Sequence, residues 1–172
     1  MKCLTYRWKS NEQLSNMRFR RLSTEELFSL ETEFKQFLVI HELYDEEWRL
    51  LAEKEPEKTE QIILQFSELV LEKVYKQISF LVHFSSTMVS FFDMRNNPLK
   101  AYHIKCSEGL SIQNEEELEH VLSVHFNQLH FYRGEKQLQQ EKADEVFDLI
   151  RKGSESCEEA YFLKYTQLFE GI

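Results

Sequence analysis

Met88-Val-Ser-Phe-Phe-Asp-Met94, Arg95-Asn-Asn-Pro98 and Leu99-Lys-Ala-Tyr-His-Ile-Lys-Cys106 decide the fold class. Two runs rich in β-branched and aromatic residues flank a short segment of Asn and Pro, which is the pattern of a β-hairpin. Strict alternation along the second run places Tyr102, Ile104 and Cys106 on one face and Ala101, His103 and Lys105 on the other, with His103 on the wetter side. A hairpin inside a chain that otherwise reads as helices predicts an α+β fold, predominantly helical, with a small antiparallel sheet.

On the N-terminal side, Ser23-Thr-Glu-Glu26 is a capping box, and Leu27, Leu30, Phe34, Phe37 and Leu38 follow at helical spacing. One helix is expected over 24–40. Asp45 is expected to cap a shorter helix running to about Lys54, with Trp48 and Leu51 buried. Pro56 suits the first turn of a third, whose apolar positions Ile62, Ile63, Phe66, Leu69, Val70, Val74, Ile78 and Leu81 predict a long helix covered on more than one side.

Beyond the hairpin, Asn114-Glu-Glu-Glu117 opens a helix with acids at its positive end, and Leu118, Val121, Leu122, His125, Phe126 and Leu129 continue it. His130-Phe-Tyr-Arg133 reads as a third strand. Val146, Phe147 and Ile150 mark a helix ending near Gly153, and Ser156-Cys-Glu-Glu159 is a second capping box for a last helix.

The chain has 172 residues with 21 Lys and Arg against 30 Asp and Glu, a net charge of −9. Six basic residues and one acid fall within 1–22, so a +5 arm precedes a −14 body. No repeat or linker divides the remainder, and 23–172 is expected to form a single domain. The three cysteines, Cys3, Cys106 and Cys157, are scattered and make no C-x-x-C pair, which disfavours a disulfide framework or a zinc ribbon. The first thirty residues hold no continuous apolar stretch of a signal peptide, and Ile78-Ser-Phe-Leu-Val-His-Phe84 falls far short of the ~20 residues a membrane span needs. A cytoplasmic protein with no membrane contact is expected. The four glycines stand alone, so no P-loop, dinucleotide fingerprint or nucleophile elbow can form, and no cofactor is expected.

Met17-Arg-Phe-Arg-Arg-Leu22, Asp45-Glu-Glu-Trp48, Pro56-Glu57 and Phe66-Ser-Glu-Leu-Val70 before the hairpin resemble a family of small uncharacterised bacterial proteins of the Bacteroidetes lineage. The resemblance runs from about Met17 onward. It implies no activity and no catalytic residue, and it raises the question whether residues 1–16 belong to the native protein.

Three readings of function follow from the residues. Apolar and aromatic side chains on several helix faces, with no convergent catalytic set, favour a non-enzymatic interaction or adaptor module that binds a protein partner or itself. An enzyme is the second reading. Glu117 and His120 share a helix face as E-x-x-H, a metal-ligating spacing, although no second such motif is present and Glu117 has a ready structural use beside an Asn114 cap. Five histidines, His83, His103, His120, His125 and His130, fall between 83 and 130, near the hairpin. His120 and His125 lie about 140° apart on a helix and are not expected to share an ion. Cys106 is expected to be a buried thiol. Nucleic-acid binding is the third reading: Arg18, Arg20 and Arg21 interleave with Phe19, downstream of Arg7, Trp8 and Lys9. The acidic body opposes it, being the obvious intramolecular partner for those charges.

Overall fold

The computed structural model describes residues 17–171. The expected contributions of Arg7, Trp8 and Lys9 lie outside the described residues. The fold is α+β, with seven α-helices and a five-stranded antiparallel sheet among the described residues. Two compact units make up the chain, one through Lys73 and one from Val74 onward.

In the first unit the capping box forms as expected. Glu26 N–H donates to Ser23 Oγ at 3.2 Å, and Ser23 N–H donates to the Glu26 carboxylate at 2.7 Å. The helix it opens is short. α1 spans Thr24–Ser29 and α2 spans Glu31–Ile40, where the periodicity predicts one helix. The Ser29 hydroxyl donates back to Glu26 O at 2.8 Å, and Leu30 N–H is shared between the carbonyls of Glu26 and Leu27. A serine that competes for a helix carbonyl tightens the last turn and lets the chain bend there.

α3 spans Asp45–Lys54. Its N-cap is Tyr44, with no side-chain hydrogen bond, so Asp45 enters the first turn instead of capping it. Trp48 and Leu51 are half-buried, less than expected. α4 spans Pro56–Gln77. Its inner stripe is Ile62, Phe66, Ser67 and Leu71, whereas Leu69 and Val74 are exposed, so its apolar circumference is only partly covered. Phe34 lies 5.0 Å from Phe66 and 5.3 Å from Trp48, and Phe37 5.3 Å from Phe66, ring to ring. Such aromatic contacts add about 0.5–1.5 kcal/mol each beyond the area they bury. Phe19 and Leu22 are buried as well, and Leu22 N–H donates to Ser67 Oγ at 3.1 Å.

The second unit, from Val74, takes in the last turn of α4 and then leaves helical periodicity. Ile78 and Leu81 extend the α4 pattern in sequence, yet the helix stops at Gln77 and β1 spans Phe80–Phe84. This strand is apolar on both faces, Leu81 being fully buried opposite Phe80 and Val82, and such a run carries no period-2 signal. β2 (Met88–Asp93) and β3 (Leu99–Cys106) form the expected hairpin, turning through Arg95–Pro98 with a cis Asn97–Pro98 bond. Arg95 grips Asp93 through both oxygens and lies 4.6 Å over the Phe80 ring.

α5 spans Glu115–Val124 from an Asn114 cap that accepts Glu117 N–H at 2.9 Å. It ends before Leu129, contrary to the periodicity. His125 caps it, a 3-10 turn covers Phe126–Gln128, and Leu129 opens β4 (Leu129–Lys136), which contains the predicted third strand. α6 spans Lys142–Arg151. The second capping box does not form. Ser156 sits in β5 (Glu155–Ser156) opposite Leu81, and α7 (Glu159–Thr166) starts from Glu158 with no side-chain cap. A free sheet edge at β1 takes Ser156 into the ladder, where it satisfies backbone groups that a helix cap would leave unpaired.

The strand order is β4-β3-β2-β1-β5. One face carries Phe80, Val82, Val89, Phe91, Ile104 and Cys106 and forms the main core with Leu118 and Val121 of α5 and Phe162 and Tyr165 of α7. Phe91 stacks on Tyr165 at 5.3 Å and Phe80 on Phe162 at 4.5 Å. The opposite face carries Leu81, His83, Ser90, Phe92, Ala101 and His103.

Candidate functional site

On that second face the register places four polar or ionisable residues in one row across the sheet. His83 pairs with Ser90, Ser90 with His103, and His103 with Tyr132. Directly opposed residues hold their Cβ atoms about 4.5–5.5 Å apart. Ser90 is buried, and its Oγ lies 2.8 Å from His103 Nδ1. The contact is one hydrogen bond, donated by the Ser90 hydroxyl when the His103 proton is on Nε2 and by Nδ1–H in the other tautomer. Burial also pushes the His103 pKa down, which keeps the ring neutral at pH 7. His83 Nδ1 is buried without a hydrogen-bond partner, beside the backbone of Gly153 at the end of α6.

His103 lines a recess of about 300 Å³ between the sheet and α6. Phe92, Leu99, Ala101 and Leu149 supply apolar wall, Gly134 leaves room on β4, and Lys136, Glu145 and Lys152 supply charge. Lys136 Nζ donates to the buried Glu145 carboxylate at 2.6 Å, so these two charges largely cancel. Lys152 has no ion-pair partner among the described residues.

The structure distributes the sequence-predicted residues differently. Glu117 closes its own helix: its carboxylate accepts Gln113 N–H at 2.9 Å. His120 lies apart from it in role, with its ring 6.1 Å from that of His125. The two imidazoles come closer than helical phase allows because α5 ends at Val124, leaving His125 outside the helical repeat. Among the described residues no group of three or more His, Cys, Asp or Glu is placed to hold a metal ion. His130 is exposed on β4. Cys106 is a buried thiol donating toward Thr87 O and Leu110 O, with its pKa raised by burial, and it faces away from His103. Ser90 was not singled out in the sequence. The signal was there in the hairpin register, which sets it across from His103 once the turn length is known.

Arg18, Arg20 and Arg21 are engaged within the first unit. Arg18 bridges Glu68 at 2.9 Å and Glu72 at 2.7 Å, Arg20 takes Glu26 through both oxygens, and Arg21 reaches Glu60 at 2.7 Å.

A second feature is the outer edge of the sheet. β4 is an edge strand of eight residues, exposed at His130 and from Tyr132 to Lys136. Ser107 N–H donates to Gln128 O at 3.1 Å, which sets the phase of the β3–β4 ladder. Along the register, His130, Tyr132, Gly134 and Lys136 then bond inward to β3, while Phe131, Arg133 and Glu135 turn their backbone groups outward.

Fold and site together define an α+β protein with helices on its antiparallel sheet, a small recess and an exposed edge strand, and, among the described residues, no helix long and apolar enough to cross a membrane. The chain belongs to DUF6495, a family of unknown function, which matches residues 17–170. No curated protein and no solved structure matches it.

Proposed function

We propose that this protein is a non-enzymatic interaction module whose contact surface is the β4 edge, and that the occupant of that edge is a second copy of the chain. The observation that carries this is self-complementarity. Antiparallel pairing of two β4 strands about Gly134 sets Arg133 of each copy opposite Glu135 of the other, and these are the residues whose backbone groups point outward. The same register sets Tyr132, half of whose surface is exposed, opposite Lys136 of the other copy. Opposite-charge and aromatic cross-strand pairs contribute about 0.2–1 kcal/mol each on top of the new ladder bonds. Exposed charges on an edge strand ordinarily deter pairing, but this register turns them into matched pairs.

The nucleic-acid reading has less support, because Arg18, Arg20 and Arg21 spend their charge on Glu68, Glu72, Glu26 and Glu60. We place the protein in the reducing cytoplasm, in keeping with Cys106 and Cys157 as free thiols.

Sedimentation or light scattering over a wide concentration range tests the proposal. A dimer is expected, weakened by Arg133→Glu or by Glu135→Arg alone and regained in the double charge swap. Circular dichroism establishes that each variant is folded, and Glu135→Arg leaves the contact of Arg133 with the Phe169 ring untouched. A wild-type chain that stays monomeric throughout, or a dimer indifferent to both single changes, overturns the proposal. A strand from another protein on β4 would also appear as a monomer and likewise overturns it.

A further inference from the structure

The recess beside His103 is a site of a different kind, lined by Gly134 and Lys136 of β4 but not by the backbone groups that the edge turns outward. Three observations converge on it. Its walls are mostly apolar, from Phe92, Leu99, Ala101 and Leu149. His103 lines it with Nδ1 engaged by the Ser90 hydroxyl, and Nε2 has no partner among the described residues. At its α6 side stands Lys152, the one charge of the lining lysines and Glu145 that Lys136 and Glu145 do not cancel between them. Glu135 also borders the recess, but strand alternation turns its side chain to the face opposite Gly134 and Lys136.

With its proton on Nε2, the tautomer in which Ser90 donates to Nδ1, His103 offers a neutral N–H that together with one unbalanced cation and apolar walls suits an anion with an apolar body. The volume is at the small end of ligand sites, which run from about 300 to 1,000 Å³. We propose that this recess binds a small free monocarboxylate with an aromatic or branched apolar body, its carboxylate received by His103 Nε2–H and the Lys152 ammonium.

Gly134 makes the site testable. A Cβ built there meets nothing within 4 Å, and the residue has no positive φ, so a side chain fits the backbone and fills the recess. β-branched residues are favoured in strands, so Gly134→Val leaves the fold intact.

The probe is 3-phenylpropanoate, with 3-phenylpropanamide as its neutral counterpart, followed by the NMR signals of the His103 ring. Saturable shifts are expected with the carboxylate. Binding of the amide is expected to be weaker by about tenfold or more, and Lys152→Gln to cost the carboxylate about tenfold, one charge-assisted contact each. Gly134→Val is expected to abolish the shifts. Absence of saturable shifts, equal binding of the amide, or binding unchanged in Gly134→Val overturns the proposal. The Arg133→Glu chain is expected to bind the probe as the wild type does, so failure here and failure of self-association are read separately.

Discussion

Ser90 Oγ on β2 and His103 Nδ1 on β3 lie 2.8 Å apart across the hairpin, on the sheet face away from the main core. Ser90 is buried, His103 half-buried, and the hydrogen bond occupies Nδ1 of the imidazole and leaves Nε2 to the recess side chains and solvent.

Ser90→Ala removes the hydroxyl and leaves Nδ1 without its partner. A loss of about 1 kcal/mol is expected, measured by urea unfolding, because a shielded ring nitrogen loses its partner without gaining full hydration. The ¹⁵N shifts of the ring should move from the Nε2–H pattern toward a mixture of tautomers. An unchanged tautomer would show that Ser90 does not set it.

The pH dependence of stability divides into two windows. Burial lowers the His103 pKa below its ordinary 6.5, so between the folded and unfolded values the unfolded chain binds more protons. Its contribution is complete above pH 6.5 and is lost as pH falls through the folded value. Glu26 acts lower. Its pKa is pulled from 4.5 to about 2 by Arg20 first and the Ser23 N–H next, so its contribution is complete above pH 4.5 and lost toward pH 2. Urea midpoints against pH should show both slopes in the wild type. His103→Gln should flatten only the upper one and Glu26→Gln only the lower.

Two glycines should respond oppositely to alanine. Gly153 has φ +98°, and a Cβ there meets His83 Cε1 at 3.5 Å, so Gly153→Ala is expected to cost about 1 kcal/mol or more. Gly134 lies in an extended strand with open space around it, and Gly134→Ala should be neutral or stabilise by about 0.5 kcal/mol through the unfolded chain. Thermal melts of the two variants check the contrast.

Tyr165 is almost fully buried, stacked on Phe91, and its hydroxyl lies 2.7 Å from Glu119 and 2.9 Å from Glu115. Burial and both carboxylates hold its pKa far above the ordinary value, so it remains a donor. Tyr165→Phe keeps the ring and should cost about 1 kcal/mol, since Glu119 retains Lys164 at 2.6 Å. Tyr165→Ala opens a cavity and should cost about 3–5 kcal/mol, read by denaturant unfolding.

Residues 17–22 offer a last comparison. Leu22 is buried, and Leu22→Ala is expected to cost about 2–5 kcal/mol. Arg18 pairs with Glu68 and Glu72 at partly exposed positions, and Arg18→Ala should cost no more than about 1 kcal/mol, diminishing as salt is raised. Urea titrations at low and high salt separate the two.

Local chemistry alone determined the elements whose signals are complete within a few residues. The Ser23 capping box, Pro56 in the first turn of α4, the Asn114 cap and the β2–β3 hairpin each satisfy their own backbone groups, so no distant partner is needed to choose them. The α+β class followed from that hairpin, and the resemblance from about Met17 onward coincides with the span of a family of unknown function, residues 17–170. Tertiary structure decided the rest. β1 exists because a doubly buried apolar strand finds β2 and β5 beside it, and periodicity cannot distinguish such a run from the end of an apolar helix. Ser156 left its capping role for a ladder position on β1, and α5 gave way at Val124 so that Leu129 could pair with Cys106. The site residues divide in the same way. Glu117 went to its own helix cap and Arg20 to Glu26 of the nearby capping box, both local bonds, whereas Arg18 and Arg21 went to carboxylates of α4 brought near by folding. The His83–Ser90–His103–Tyr132 row spans four strands, and only strand register puts residues 49 positions apart in sequence on one line.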